Sequence, residues 1–329
     1  MARQGQNPLK WMQTVCRPKP ITATTVVFMP MLDGYWKDAL KVLELCLWSM
    51  RESTSIPFDL MVLDNGSCQE VQTALLDYHR KGWIQFLILS QENLGKVGAW
   101  NLLFTSAPGE IVTFCDSDVY FMRDWLEESK RILEAFPEAG MVTAQPIAGG
   151  DLAITRNGTA ILKTNAALAR QGLLIPETYL RTHLQALGAP PGEYERRMQN
   201  RNDLLIARDS VKAYATASHF QFATRKQVLK KLFPVAAELP LGADLQFDNE
   251  MLDLGFWRLS TEKYLAHHMG NRLPDLKGEI PWPFEPSPEP RGQSRTAVAA
   301  SHAKGRIGNK HLRSLLKRIN SLTWHLLYE

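Results

Sequence analysis

The 329-residue chain is 45% hydrophobic and 22% charged, which excludes a disordered or fibrous protein and leaves room for one large domain or two modest ones. Its net charge of +4 is unevenly placed: residues 1–20 carry four Lys/Arg and no acid, residues 291–329 carry eight and one acid, and the body between is net acidic. Basic ends on an acidic body are not the continuous basic face of a nucleic-acid binder, and fit an anionic membrane surface or a protein partner better.

Four cysteines (Cys16, Cys46, Cys68, Cys115) lie far apart without a CxxC pair. They read as reduced thiols of a cytoplasmic protein, and no zinc site follows from them. The first twenty residues lack the apolar core of a secretory signal, and no apolar run approaches the roughly 20 residues needed to span a bilayer.

After the basic leader, residues 24–30 (TTVVFMP) predict a buried strand stopped by Pro30 and Gly34. Leu40, Leu43, Leu47 and Met50 recur at helical spacing over 35–51. A second strand, 58–63, runs into Asp64-Asn65-Gly66-Ser67; a helix over 69–80 and a third strand over 83–89 follow. A short helix ends near Ser106, a fourth strand spans 111–119, and helix 123–136 and strand 140–144 come next. This alternation specifies an α/β fold with a mostly parallel sheet and helices on both faces, in which ligands bind outside the strands' carboxyl ends. Three polar clusters fall there: Asp33, Asp64 to Ser67, and Asp116-Ser117-Asp118. Side chains two apart on a strand share a face, so Asp116 and Asp118 leave it together. Such crowded carboxylates suit a hard divalent ion, Mg²⁺ or Mn²⁺, which suits a phosphate-bearing substrate.

Residues 150–215 break the rhythm and read as a helical insertion or acceptor-side element, with helices near 176–188 and over 193–209. A strand-like segment at 219–223 and a basic helix from Arg225 to Leu232 return to it. The boundaries read as a basic leader (1–20), a main domain (21–272), a Pro-rich loop and linker (273–308) and a basic amphipathic helix (309–329). That last helix, with Leu312, Leu315, Leu316 and Ile319 on its stripe, fits either peripheral membrane contact or docking on the body.

The ordered motifs resemble those of a family-2 type glycosyltransferase with the A-type, Rossmann-like fold. They are Pro30 at the first strand's end, Asp64-Asn65-Gly66-Ser67, Asn93-x-Gly95-Lys96-x-x-Ala99-x-Asn101, Ala107-x-Gly109-Glu110 and Asp116-x-Asp118. The resemblance covers roughly 24–145 and part of 218–271. It implies a nucleotide-sugar site built from Pro30, Asp33, Asp64, Asn93, Lys96, Asn101, Asp116 and Ser117. Asp64 would meet the base, Lys96 the diphosphate or base edge, and Asp116 the ribose and metal. Asp118 would be a direct metal ligand, and His268, or less well His267, of Ala266-His267-His268-Met269-Gly270 would complete the set. In the segment 244–256, Asp248 fits the catalytic-base position best, with Phe247 in place of the usual preceding acid and Asp244 and Glu250 as rivals. Leu32 stands where many relatives carry an aromatic residue near the base.

The expected activity is therefore metal-dependent, inverting transfer of a sugar from a nucleotide-diphosphate donor to an acceptor hydroxyl of a glycan, lipid-linked sugar or small molecule. The rivals are a nucleotidyltransferase, for which Pro30 to Gly34 makes a poor phosphate loop, and a catalytically degenerate binding or scaffold member of the same fold.

Overall fold

The computed structural model describes residues 5–12, 15–148, 152–165, 169–199, 201–235 and 243–273. In chain order these form β1 (Ile21–Val27), α1 (Ala39–Glu52), β2 (Asp59–Asn65), α2 (Gln69–Arg80), β3 (Phe86–Ser90) and α3 (Gly95–Ser106). Next come β4 (Ile111–Asp116), β5 (Val119–Phe121), α4 (Trp125–Ala135), β6 (Ala139–Thr143), α5 (Leu152–Asn165), β7 (Ala169–Gly172) and α6 (Glu177–Ala186). The rest are α7 (Glu193–Met198), β8 (Asp203–Arg208), β9 (Val211–Tyr214), β10 (Gln221–Arg225), α8 (Lys226–Leu232), α9 (Ala243–Asp253), β11 (Trp257–Ser260) and β12 (Ala266–His268).

Ten strands make one sheet in the order β3-β2-β1-β4-β10-β6-β11-β9-β8-β7, while β12 and β5 pair separately. The pairs β3–β2, β2–β1, β1–β4 and β6–β11 are parallel, with β10 inserted antiparallel between β4 and β6. β2 shows why the sheet needs cover on both faces: Leu60 and Val62 enter the core under α1 and α2, whereas Met61 and Leu63 enter the core under α3 and α8. The second core is an aromatic stack of Trp100, Phe104, Phe114, Phe222 and Phe247. Gly109 is a close approach, since a Cβ there would lie 2.6 Å from the Thr22 nitrogen.

The helix expected over 69–80 is there, burying Val71, Leu75 and Tyr78. The first strand lies three residues earlier than expected, and two further expectations differ. The fourth strand stops at Asp116; residues 117–118 turn, and β5 leaves the main sheet to pair with β12. The insertion holds the helices α5, α6 and α7, but the charged helix expected over 193–209 ends at Met198, and 203–214 form the hairpin β8–β9 that widens the sheet. The physical reason is Arg201, whose buried guanidinium bonds Asp203 (Nε to Oδ1, 2.9 Å), so the charges that suggested a solvated helix face the interior. The loop after residue 273 and the expected helix over 309–329 lie outside the described residues. No described helix is long and apolar enough to cross a membrane.

Candidate active site

The carboxyl ends of β1, β2 and β4 lie side by side, with Val27 opposite Asp64 and Val26 opposite Asp116. β4 delivers Asp116 as its last residue, and the Asp116 amide donates to the Phe220 carbonyl (2.8 Å), tying the strand end to the loop before β10. The turn then carries Asp118, whose carbonyl accepts the Met269 amide at 2.7 Å. The β5–β12 register sets His268 opposite Val119 and His267 opposite Tyr120. Adjacent strand residues face opposite ways, so the two histidines diverge. His268 Nε2 lies 3.6 Å from Asp118 Oδ1, while His267 Nδ1 lies 2.9 Å from the Tyr264 hydroxyl.

One ligand atom each from Asp116, Asp118 and His268 falls within 4.8 Å of the others. Asp118 Oδ1 and His268 Nδ1 are buried without hydrogen-bond partners. Burial pushes the Asp118 carboxyl up to about 6, with His268 opposing the shift and Asp116 adding to it. Two carboxylates and an imidazole are a donor set that fits a divalent ion such as Mn²⁺ or Mg²⁺. Lys96 is the nearby cation, its Nζ 3.0 Å and 3.2 Å from the two Asp116 oxygens and 5.3 Å from the Trp100 ring. Ser117 lies half-buried in the turn between the aspartates.

The other expected residues divide by what their polar atoms touch. Pro30, Asp33 and Asn93 are exposed. Asn93 Oδ1 accepts from Asn65 Nδ2 (2.9 Å) and the Gly95 amide (2.8 Å), pinning the start of α3 to the end of β2. Asp64 is fully buried, accepting from Gln72 Nε2 at 3.0 Å and the Ser67 amide at 3.3 Å. It thereby shapes the 64–67 turn, in which Gly66 takes the positive φ of 86° that favours glycine. Asn101 exchanges two 2.9 Å bonds with the Val235 backbone and so anchors the segment after α8 to α3.

Asp248 is 3% exposed. Its Oδ2 accepts from Arg258 Nη2 at 2.8 Å and lies 3.7 Å from His219 Nδ1, while Oδ1 is buried without a partner. Glu250 is half-buried on α9 and accepts from Gln246, and the Asp244 side chain lies outside the described residues. Phe247 fills the aromatic core.

Sequence reasoning passed over two residues. Arg258 sits between Trp257 and Leu259 on a buried strand, and an arginine in that setting requires an acid. Phe220 bridges the two halves of the site: its neighbour His219 faces Asp248, its carbonyl holds Asp116, and its ring lies edge-on to His268 with centroids 5.6 Å apart.

Among solved structures, S. aureus TarS (residues 1–349) is 15% identical, aligned over 75% of this chain and 59% of that one, with a TM-score of 0.44. The mannosyltransferase PcManGT from Pyrobaculum calidifontis, solved with GDP-Man and Mn²⁺, is 15% identical over 78% of this chain and 61% of its own, at 0.46. GalNAc-T7, solved with UDP, GalNAc and Mn²⁺, is 13% identical over 74% and 43%, at 0.45. The chain thus spans less than two thirds of the length of each. No curated protein sequence matches it. The sequence profile of Glycosyl transferase family 2 matches residues 27–233, well over half of the chain, from the end of β1 through α8, and the chain therefore belongs to that family.

Proposed function

We propose that this glycosyltransferase moves a sugar from a nucleotide-diphosphate donor to an acceptor hydroxyl, with inversion and with a divalent ion held by Asp116, Asp118 and His268. The observation that carries this reading is the meeting of those three side chains within 4.8 Å at the carboxyl end of the sheet. When bound, Mn²⁺ or Mg²⁺ supplies Lewis-acid neutralisation of the departing diphosphate.

The chain's own residues do the rest. Lys96, held against Asp116, places a second positive charge where the leaving group develops negative charge. Pro30, Asp33, Asn93, Asp116 and Ser117 offer exposed or half-buried surface to the nucleotide sugar. Asp64 and Asn101 contribute indirectly, since their polar atoms hold the 64–67 turn and the α3–α8 contact.

The acceptor proton goes to a carboxylate on α9 in this mechanism. Asp248 is the first assignment, supported by the unpartnered Oδ1. Its burial and its ion pair with Arg258 favour a second reading, in which Asp244, one turn earlier on α9, takes the proton and Asp248 fixes the helix.

The test is nucleotide release from a panel of UDP- and GDP-sugars with Mn²⁺ and candidate acceptors, using the wild type, Asp244→Asn and Asp248→Asn. Loss of the base removes about 10²–10⁴-fold of turnover while donor binding persists. A loss confined to one variant assigns the base, and turnover retained by both places the base elsewhere. Release from no donor contradicts the transfer reading.

A further inference from the structure

Single exposed apolar side chains are ordinary on a protein surface, and a cluster of them is not. Twelve large hydrophobic residues are exposed among the described residues, and eight of these are spread between Met31 and Leu254. The other four crowd into one short segment: Leu9 (65%), Trp11 (63%), Met12 (59%) and Val15 (81%).

The segment is built to present them. Asn7 caps a single 3-10 turn over Pro8–Trp11, its Oδ1 accepting the Leu9 amide at 3.0 Å, and the Met12 amide returns to the Leu9 carbonyl at 3.2 Å. Further on, the Lys19 amide donates to Asp59 Oδ2 at 2.7 Å, which fastens the segment to the first residue of β2. The attachment is thus at the amino end of the parallel strands, whereas Asp64 and Asp116 mark the carboxyl ends of β2 and β4. Exposed Lys10 and Arg17 lie among the apolar residues, and residues 1–20 contain no acid.

We propose that Leu9, Lys10, Trp11, Met12, Val15 and Arg17 form a docking surface for an anionic lipid bilayer. Tryptophan, leucine and methionine have the apolar bodies that settle at the headgroup level, and tryptophan is enriched there. Interleaved Lys10 and Arg17 meet the lipid phosphates, so apolar burial and charge attraction act at the same place. Charge decides against the same segment of a second copy as the occupant, because two such segments, each basic and without acid, repel one another. Attachment at the amino end of the strands leaves the catalytic end of the sheet uncovered, so docking and turnover of a soluble donor are independent.

The experiment is co-sedimentation of the full chain with phosphatidylcholine vesicles, with and without phosphatidylglycerol. The variants are Leu9→Ala/Trp11→Ala and Lys10→Glu/Arg17→Glu, each checked by thermal unfolding to have kept the fold. The wild type is expected to sediment with the anionic vesicles only, and each double variant to lose about tenfold or more in partition coefficient. Three results overturn the proposal: no binding of the wild type to anionic vesicles, equal binding of the double variants, or lipid-free dimerisation that the Leu9→Ala/Trp11→Ala variant abolishes. Equal binding of the variants would place the membrane attraction elsewhere, with the basic residues 291–329 as the remaining source.

Discussion

His268 faces Asp118 because the β5–β12 ladder sets it opposite Val119, bringing Nε2 to 3.6 Å from Oδ1. Asp118 carries the cost of that arrangement in the metal-free chain, a largely desolvated carboxylate beside a second one. Asp118→Asn should therefore raise the stability of the metal-free protein at pH 7.5, by on the order of 1 kcal/mol, while abolishing stabilisation by Mn²⁺. Thermal unfolding with and without the ion measures both effects, and a variant that is destabilised and still responds to Mn²⁺ would show that Asp118 is not a ligand.

The same carboxylate predicts a pH dependence. Its folded value of about 6 lies above the ordinary carboxylate range, so its contribution to stability is complete below that range and is lost as pH rises through 6. Above pH 6 the ionised group is also the form that binds a cation. Stabilisation by Mn²⁺ should thus be small at pH 5 and larger at pH 7.5. Equal shifts at the two pH values would contradict the assignment.

His183, on α6 and 6% exposed, is pushed down to about 3, mainly by desolvation, with His268, Arg197 and His267 adding to it. Its ring packs against Phe220 at 5.9 Å. A depressed histidine contributes stability that is intact above pH 6.5 and is lost as pH falls toward 3. At pH 5 that loss is about 2 kcal/mol, and His183→Phe should remove most of it from the acid limb of the unfolding profile. His267, pushed down to about 4, acts in the same direction and will remain in the variant.

Asp248 and Arg258 are both buried, and the Arg258 backbone is clamped between two bonds to Asn157 (2.7 Å and 3.0 Å). Removing one partner leaves the other as a buried charge without its close counter-ion. Arg258→Met should therefore cost about 3–5 kcal/mol, and the double change Asp248→Leu/Arg258→Met substantially less than the sum of its parts. Additive losses in urea unfolding would show that the pair is not coupled.

Strands β1, β2, β3, β4, β6 and β10 were legible as apolar runs closed by turn residues, and α2 because Val71, Leu75 and Tyr78 recur at helical spacing; β7, β8, β9 and β11, short and interrupted by polar residues, were not. The grouping of Asp116, Asp118 and His268 was anticipated in two parts, Asp116-x-Asp118 from two like carboxylates at a strand end and His268 from the family resemblance alone. What escaped were charges whose partners are distant or hidden. Arg201, Asp203 and Arg208 fell within the helix expected over 193–209, whereas Asp203 and Arg208 lie on β8, joined to β9 by the turn at Asp209-Ser210 with positive φ at both residues, and Arg201 pairs with Asp203. The carboxylate of Asp64 turns inward to Gln72 at 3.0 Å, a contact made across the first turns of α2 that no motif announces. The fate of Asp248 depended on Arg258, which reaches it from the following strand.

In the proposed mechanism Asp116, Asp118 and His268 hold one divalent ion for a nucleotide-diphosphate sugar. Losing a group that merely orients a metal ligand costs roughly 10–100-fold in affinity, and losing a ligand costs at least as much. The most direct test is a Mn²⁺ binding isotherm, read by the paramagnetic resonance of the free ion, for the wild type, Asp118→Asn and His268→Ala with UDP or GDP present. One Mn²⁺ should bind per wild-type chain, with affinity lost by about 100-fold or more in each variant. Wild-type protein that binds no Mn²⁺, or variants that bind it as the wild type does, would contradict it.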